Sequence, residues 1–249
     1  MAIKKSSISG TPFGGTADRP SSPTKGQTFF NGDKGILEIY NGTAWYAAAA
    51  IAPSVPTSVV ATDSGTGRAY NNGRASVAFT APSGGSNPTS YTVTSSPGSY
   101  TNTGTSSPIL ITGLASGTTY TYTVTSSNDF GTSSSSSAST GVSATTIPDA
   151  PTIGSAIAGN SQATVNWTAP NNGGSSITGY VITPYIGATA QSTTSAVSGA
   201  TSAIVTGLTN GTSYTFKVAA TNANGTGNQS SASSSVLPAA LKGTGGNEI

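Results

Sequence analysis

A twelve-residue pattern occurs twice in this chain at a fixed separation. Gly207-Leu-Thr-Asn-Gly-Thr-Ser-Tyr-Thr-Phe-Lys-Val218 repeats Gly113-Leu-Ala-Ser-Gly-Thr-Thr-Tyr-Thr-Tyr-Thr-Val124, with every matched position 94 residues apart. The shared form is Gly-Leu-x-x-Gly-Thr-x-Tyr-x-aromatic-x-Val. A repeat at that period means one folded unit used twice. In each copy a Leu closes a strand and a Gly-containing turn reverses the chain. Tyr120 or Tyr214 then opens a strand that alternates at period two. A Tyr in that position can bond back to upstream backbone, as in the tyrosine corner of β-sandwiches.

The rest of each unit fits the same class. In the first, short apolar or alternating runs lie at 56–60, 75–79, 91–94, 109–112, 119–125 and 139–144. In the second they lie at 152–156, 163–168, 179–183, 203–206, 213–219 and 231–236. Many short strands with regular turn signals predict an all-β chain with two sandwiches of about seven strands each. The expected core residues are Phe79, Tyr91, Leu114, Tyr120 and Val124 in one, and Trp167, Tyr180, Leu208, Tyr214 and Val218 in the other. Phe79 and Trp167 are 88 residues apart, whereas the tyrosines are 94 apart. The second unit is therefore longer in its middle, around 186–200, where a loop or extra edge strand would absorb the difference.

The first fifty residues differ in character. Gly and Pro interrupt residues 1–26 throughout, which predicts an extended arm. Residues 27–50 place strands at 27–30, 36–40 and 44–47, with turns at Asn31–Gly35 and Asn41–Thr43. Asn-Gly between apolar runs is a strong hairpin signal and predicts a three-stranded meander. A unit this small does not bury enough surface to stand alone. Phe13, Arg19, Phe29, Phe30, Ile36, Ile39, Tyr40, Trp45 and Tyr46 are accordingly expected to anchor it on a second surface, another copy or a larger assembly, with packing on the next domain as the alternative. The predicted organisation is arm 1–26, meander 27–50, sandwiches 51–147 and 148–237, and a flexible Gly-rich tail 238–249.

Composition removes most chemistry. The chain has no Cys and no His. That eliminates thiolate nucleophiles, Ser-His-Asp triads, and zinc sites built on either residue. Its few carboxylates form no local pair suited to glycoside hydrolysis. The Asn31–Gly35 loop carries a single carboxylate, Asp33, where a calcium loop needs several. No catalytic residue, metal site or cofactor is expected. Charged residues make up 6% of the chain, against about 25% in an ordinary soluble protein. Half of them precede Ala47, and Lys217 is the one charge between Ala150 and Leu241. A net charge of +2 gives no basis for nucleic-acid binding. No apolar run approaches the roughly 18 residues of a membrane span, and no apolar segment follows Lys4 and Lys5 to make a secretory signal. The ligand class left open is carbohydrate, with Tyr70, Tyr100, Asn128, Phe130, Tyr185, Asn222 and Asn224 as candidate contacts in polar loops.

Two resemblances sharpen these expectations. The repeats resemble fibronectin type III domains. The second carries Pro151, Trp167, Pro170, Tyr180, Leu208, Gly211, Tyr214, Val218, Asn222 and Gly225. The first carries Pro56, Phe79, Pro82, Tyr91, Leu114, Gly117, Tyr120, Val124, Asn128 and Gly131, with Phe79 where the family usually has Trp. The segment from Arg19-Pro through Tyr40-Asn-Gly to Trp45 resembles a short segment in structural and fibre proteins of tailed bacteriophages, including cyanophages. Together these imply a non-enzymatic virion protein, mounted by its N-terminal region as a head decoration, fibre or tail appendage. Its implied partners are other virion proteins and copies of itself, with weak adhesion to host surface polysaccharide. It would be made in the host cytoplasm without a signal peptide and carried in the extracellular particle. The alternative is a secreted bacterial surface or polysaccharide-binding accessory protein.

Overall fold

The computed structural model describes residues 13–14, 19–31, 36–47, 52–83 and 86–240. The expected all-β class holds: strands and turns make up all the regular structure of the described residues. Residues 1–12 of the arm, the tip of the Asn31–Gly35 turn, part of the linker after the meander, and tail residues 241–249 lie outside them.

The N-terminal module is a four-stranded sheet in sequence order: β1 (Phe13–Gly14), β2 (Thr28–Asn31), β3 (Ile36–Tyr40) and β4 (Trp45–Ala47). β1 is an addition to the expected meander. It pairs in parallel with β2, Phe13 opposite Phe30, and so occupies the edge that a three-stranded meander leaves open. The row Phe29–Glu38–Ala47 crosses the three meander strands. Phe29 and Glu38 are both 1% exposed. A buried carboxylate needs a partner, and Arg19 supplies it with two bonds, Nε to Oε2 at 2.8 Å and Nη2 to Oε1 at 2.6 Å. Asn31 donates to the same Oε1 at 3.3 Å. The Glu38 bond also raises the Arg19 guanidinium above its ordinary value. Arg19→Ala is expected to cost this module about 2 kcal/mol, the scale of a hydrogen bond to a charged group. The loss appears as faster amide exchange over residues 28–47 with the sandwiches unchanged.

Each repeat folds as two facing sheets. In the first, β5 (Thr57–Asp63), β6 (Gly73–Thr80) and β9 (Ile109–Leu114) form one sheet. The other has the order β11-β10-β7-β8, from β7 (Ser90–Ser96), β8 (Thr101–Gly104), β10 (Thr119–Asn128) and β11 (Gly131–Thr132), with β12 (Val142–Ser143) also on β10. The second repeat pairs β13 (Thr152–Ala158), β14 (Gln162–Thr168) and β18 (Ser202–Thr206). Its other sheet runs β16-β15-β19-β20, from β15 (Gly179–Ile186), β16 (Thr189–Ala190), β19 (Thr215–Asn222) and β20 (Gly225–Thr226), with β17 (Thr194–Val197) also on β15. The extra length read from the 88-against-94 spacing lies in β16, β17 and their turns.

Period-two alternation points every expected core residue inward, and all ten are buried. Phe79 meets Tyr91 at 4.8 Å between ring centroids, and Trp167 meets Tyr180 at 5.1 Å. Phe79 thus fills the place that Trp167 takes in the other copy. Both tyrosine corners form: Ala115 N donates to Tyr120 Oη at 3.0 Å, and Thr209 N to Tyr214 Oη at 3.1 Å.

Tyr122 occupies in the first core the place of Phe216 in the second. Its hydroxyl is buried with no hydrogen-bond partner among the described residues. Burial, helped by Tyr120 and Asp63, pushes the phenol up to about 12. The unfolded chain ionises this group near 10, so the stabilising preference for neutral Tyr122 is complete below that pH and is lost as pH rises toward 12. Tyr122→Phe removes that unsatisfied hydroxyl and is expected to raise stability at pH 7 by about 1 kcal/mol. It should also flatten the alkaline fall between pH 10 and pH 12, as read by denaturant titration.

The last strand of each sandwich departs from expectation. Strands are expected at 139–144 and 231–236, yet only Val142–Ser143 and a bridge at Val236 are paired as strand there. Elsewhere the chain follows its neighbour at a three-residue period, the period of a polyproline II helix. Ser133, Ser136 and Ser139 donate their N–H groups to the carbonyls of Ser126, Val124 and Tyr122. Their hydroxyls accept from the N–H groups of the same three residues, at 3.0, 2.9 and 3.1 Å. Each hydroxyl then donates to the carbonyl of its next residue. Ser230 and Ser233 repeat the arrangement on Val218 and Phe216. Side-chain oxygens thus replace backbone carbonyls along the closing edge.

Candidate functional site

Three of the carboxylates that the sequence offers serve structural ends. Glu38 holds Arg19, Asp63 accepts from Thr145, and Asp149 accepts from the Ala150 N–H at 2.8 Å. Among the described residues no three His, Cys, Asp or Glu side chains gather as a metal site, and no helix is long and apolar enough to cross a membrane.

The seven polar-loop candidates do not converge. Asn222 is 4% exposed and lies at the seam between the sandwiches. Its Nδ2 donates to the Thr146 carbonyl and to the Asn172 carbonyl, both at 2.8 Å. Asn224 Nδ2 reaches Thr145 Oγ1 at 2.9 Å and the Thr146 carbonyl at 3.2 Å. Backbone bonds add to the seam: Gly67 N to Asn224 O at 2.8 Å, Thr146 N to Gly173 O at 2.8 Å, and Ile147 N to Arg68 O at 3.1 Å. Gly173 and Gly174, both at positive φ, let the backbones meet. A Cβ on Gly174 would lie 2.8 Å from Gly117 N and 3.0 Å from Ala144 O. The short Thr145–Asp149 connector is therefore clamped from both sides.

The same device recurs one module earlier. Asn128 and Gly131 hold the places of Asn222 and Gly225. Asn128 Oδ1 accepts from Phe130 N at 2.9 Å, as Asn222 Oδ1 accepts from Asn224 N at 2.8 Å. A Cβ on Gly131 would touch Ala52, and one on Gly225 would touch Ile147, each at 3.3 Å. Phe130 meets Tyr46 of the N-terminal module at 5.7 Å, and Ser126 Oγ donates to the Ser54 carbonyl at 2.7 Å. Phe130 thus belongs to the seam between meander and first sandwich, and Asn128 shapes the loop that carries it. Tyr100 packs on the first core beside Tyr120, and Tyr70 sits half-exposed in the turn before β6.

Of the anchoring candidates, Phe29 and Arg19 are engaged inside the module. Trp45 packs against Phe29 at 5.8 Å and Tyr40 at 5.6 Å. Ile39 is 37% exposed in the row Thr28–Ile39–Tyr46, whose Tyr46 faces Phe130. Phe13, Phe30 and Ile36 take their places in the sheet through backbone pairing.

Tyr185 stands apart, on the outer face of the β15–β19 sheet. Lys217 Nζ lies 5.2 Å from its ring centroid. Tyr185 Oη donates to Gln229 Oε1 at 2.8 Å, and Gln229 Nε2 donates to Thr183 Oγ1 at 3.1 Å. Lys217 and Gln229 were missed from sequence. The lone charge between Ala150 and Leu241 is the one signal that pointed to this face.

No curated protein matches the chain. Among solved structures, the FN1–FN3 domains of chicken CNTN1 are similar at 15% identity and a TM-score of 0.39, over 76% of this chain and 67% of that one. The family model described as Fibronectin type III domain matches residues 148–236. Residues 148–236 are a fibronectin type III domain.

Proposed function

We propose that this chain is a non-enzymatic structural protein of a tailed-phage virion. Its N-terminal module attaches it to the particle, and the two sandwiches are displayed outward as a head decoration, fibre or tail appendage. The observation that carries this is the repeated seam. Phe130 packs on Tyr46 and Ser126 bonds to Ser54 at the end of the first sandwich, and Asn222 and Asn224 hold the connector at the matching end of the second. A charged, aromatic module is thereby mounted at one end of a neutral, hydroxyl-rich pair. The resemblance of Arg19–Trp45 to phage structural proteins supports the virion as the assembly. Fibronectin type III domains are typically scaffolds, and the structural use of Glu38, Asp63 and Asp149 supports a non-catalytic role.

The test uses particles made in an infection in which this gene is disrupted. Added full-length chain is expected to cosediment with them, and a chain lacking residues 1–47 is not. Equal cosedimentation of both, or of neither, would refute attachment through the N-terminal module.

A further inference from the structure

We propose that the face carrying Tyr185, Lys217 and Gln229 binds a carboxylate-bearing saccharide, such as a uronic acid residue of a surface polysaccharide. The proposal deepens the display role by naming a ligand class, and it rests on that role for its biological setting.

The first argument is the internal comparison. The strand register aligns Tyr185, Thr183, Lys217 and Gln229 of the second sandwich with Ser96, Thr94, Thr123 and Ser135 of the first. The first sandwich closes the same sheet with a hydroxyl residue at all four places. The fold therefore does not require a ring, a cation or an amide on this face, yet the second repeat assembles all three within contact of one another.

The second argument is charge. Lys217 is the sole charged residue between Ala150 and Leu241. The ion pair among the described residues is Arg19–Glu38, in the N-terminal module, so no carboxylate neutralises the Lys217 ammonium. The ammonium is held over the Tyr185 ring, which restrains it without cancelling its charge.

The third is hydrogen-bond inventory. Lys217 brings three N–H donors, and Gln229 Nε2 keeps one beyond its bond to Thr183. Gln229 Oε1 already accepts from Tyr185, so the cluster is rich in donors. A carboxylate on a hydroxylated ring meets it, with the anion on Lys217 and ring hydroxyls on the amide and tyrosine oxygens. Half-exposed Val181, two residues from Thr183 on the same face of β15, offers apolar surface to the C–H face of a sugar. The site is open, so single contacts are weak, and many copies on one particle would supply avidity.

The experiment is a 1H–15N titration of the full-length chain with sodium glucuronate, glucose and sodium phosphate in turn. Glucuronate is expected to shift the amides of Thr183, Tyr185, Lys217 and Gln229 saturably, at least about tenfold more tightly than either glucose or phosphate. Added salt should weaken the binding. The Lys217→Thr and Tyr185→Ser variants carry residues that the first sandwich already uses and so keep the fold, and each should abolish the shifts. Equal response to glucose, equal response to phosphate, no response, or shifts that survive Lys217→Thr would each overturn the proposal. Because the titration needs no particle, its failure leaves the virion role standing, and failure of the particle tests leaves the sugar site to be judged alone.

Discussion

Replacing Ser136 and Ser139 together by Ala is expected to destabilise the first sandwich by about 4 kcal/mol. Each hydroxyl accepts from a buried backbone N–H, Val124 N at 2.9 Å and Tyr122 N at 3.1 Å. Truncation orphans both donors beneath the closing segment, and an unsatisfied buried donor costs about 1–3 kcal/mol. The neighbouring Ser135 and Ser137 are exposed. A Ser135→Ala and Ser137→Ala pair has the same composition change and the same loss of polarity. It should alter stability by less than about 0.5 kcal/mol. Denaturant unfolding of the two variants decides the matter. If both pairs cost the same, the three-residue ladder does not hold the edge. The second sandwich offers an independent check, since Ser233→Ala should orphan Phe216 N in the same way.

Gly174→Val is the second large effect, and it acts between the sandwiches. The new Cβ would stand 2.8 Å from Gly117 N and 2.9 Å from its Cα, backbone atoms that have no side chain to swing aside. Gly174 also sits at φ +80, which a β-branched residue adopts at a cost of about 1–3 kcal/mol. The expected result is an opened seam: the bonds from Asn222 and Asn224 to Thr145 and Thr146 are lost while both cores stay folded. Residual dipolar couplings should then require separate alignment tensors for the two sandwiches, where the natural chain needs one. Gly211→Val is the control for backbone strain alone. Gly211 has φ +81 and nothing within 4 Å of its added Cβ. That variant should lose some stability and keep the single tensor.

These two features mark where the sequence was legible and where it was not. Burial of alternate residues in a sandwich writes itself into the chain at period two, so Phe79, Tyr120, Trp167 and Tyr214 could be placed before any coordinates. The repeat spacing even located the longer middle of the second unit. The closing edge was hidden because nearly every residue from Ser133 to Ser139 is Ser, and a period of three has no contrast against that background. It becomes visible in the second copy, where Gly227, Ser230 and Ser233 donate to β19 carbonyls and Val236 to that of Tyr214 just before the strand. β1 leaves no trace in the sequence because a two-residue strand between Pro12 and Gly15 carries no periodic signal.

Asn222 and Asn224 show a different limit. Asn beside Gly in a turn looks the same whether the loop meets solvent, sugar or another domain. What identifies them is the connector laid across them, a contact between residues 76 and 79 positions apart. Local spacing cannot report such a contact. The Tyr185 cluster is intermediate: an isolated Lys in a neutral domain is visible in the sequence, but its ring and amide partners come from strands that only the folded register brings together.

The proposed display role is tested most directly by quantitative peptide mass spectrometry on purified particles of the proposed source phage, reading the ratio of this chain to the major capsid protein. A reproducible ratio is expected, near that of a shell component for a head decoration and far smaller for a tail or single-vertex appendage. Absence of the chain from particles that retain their other structural proteins would contradict the role.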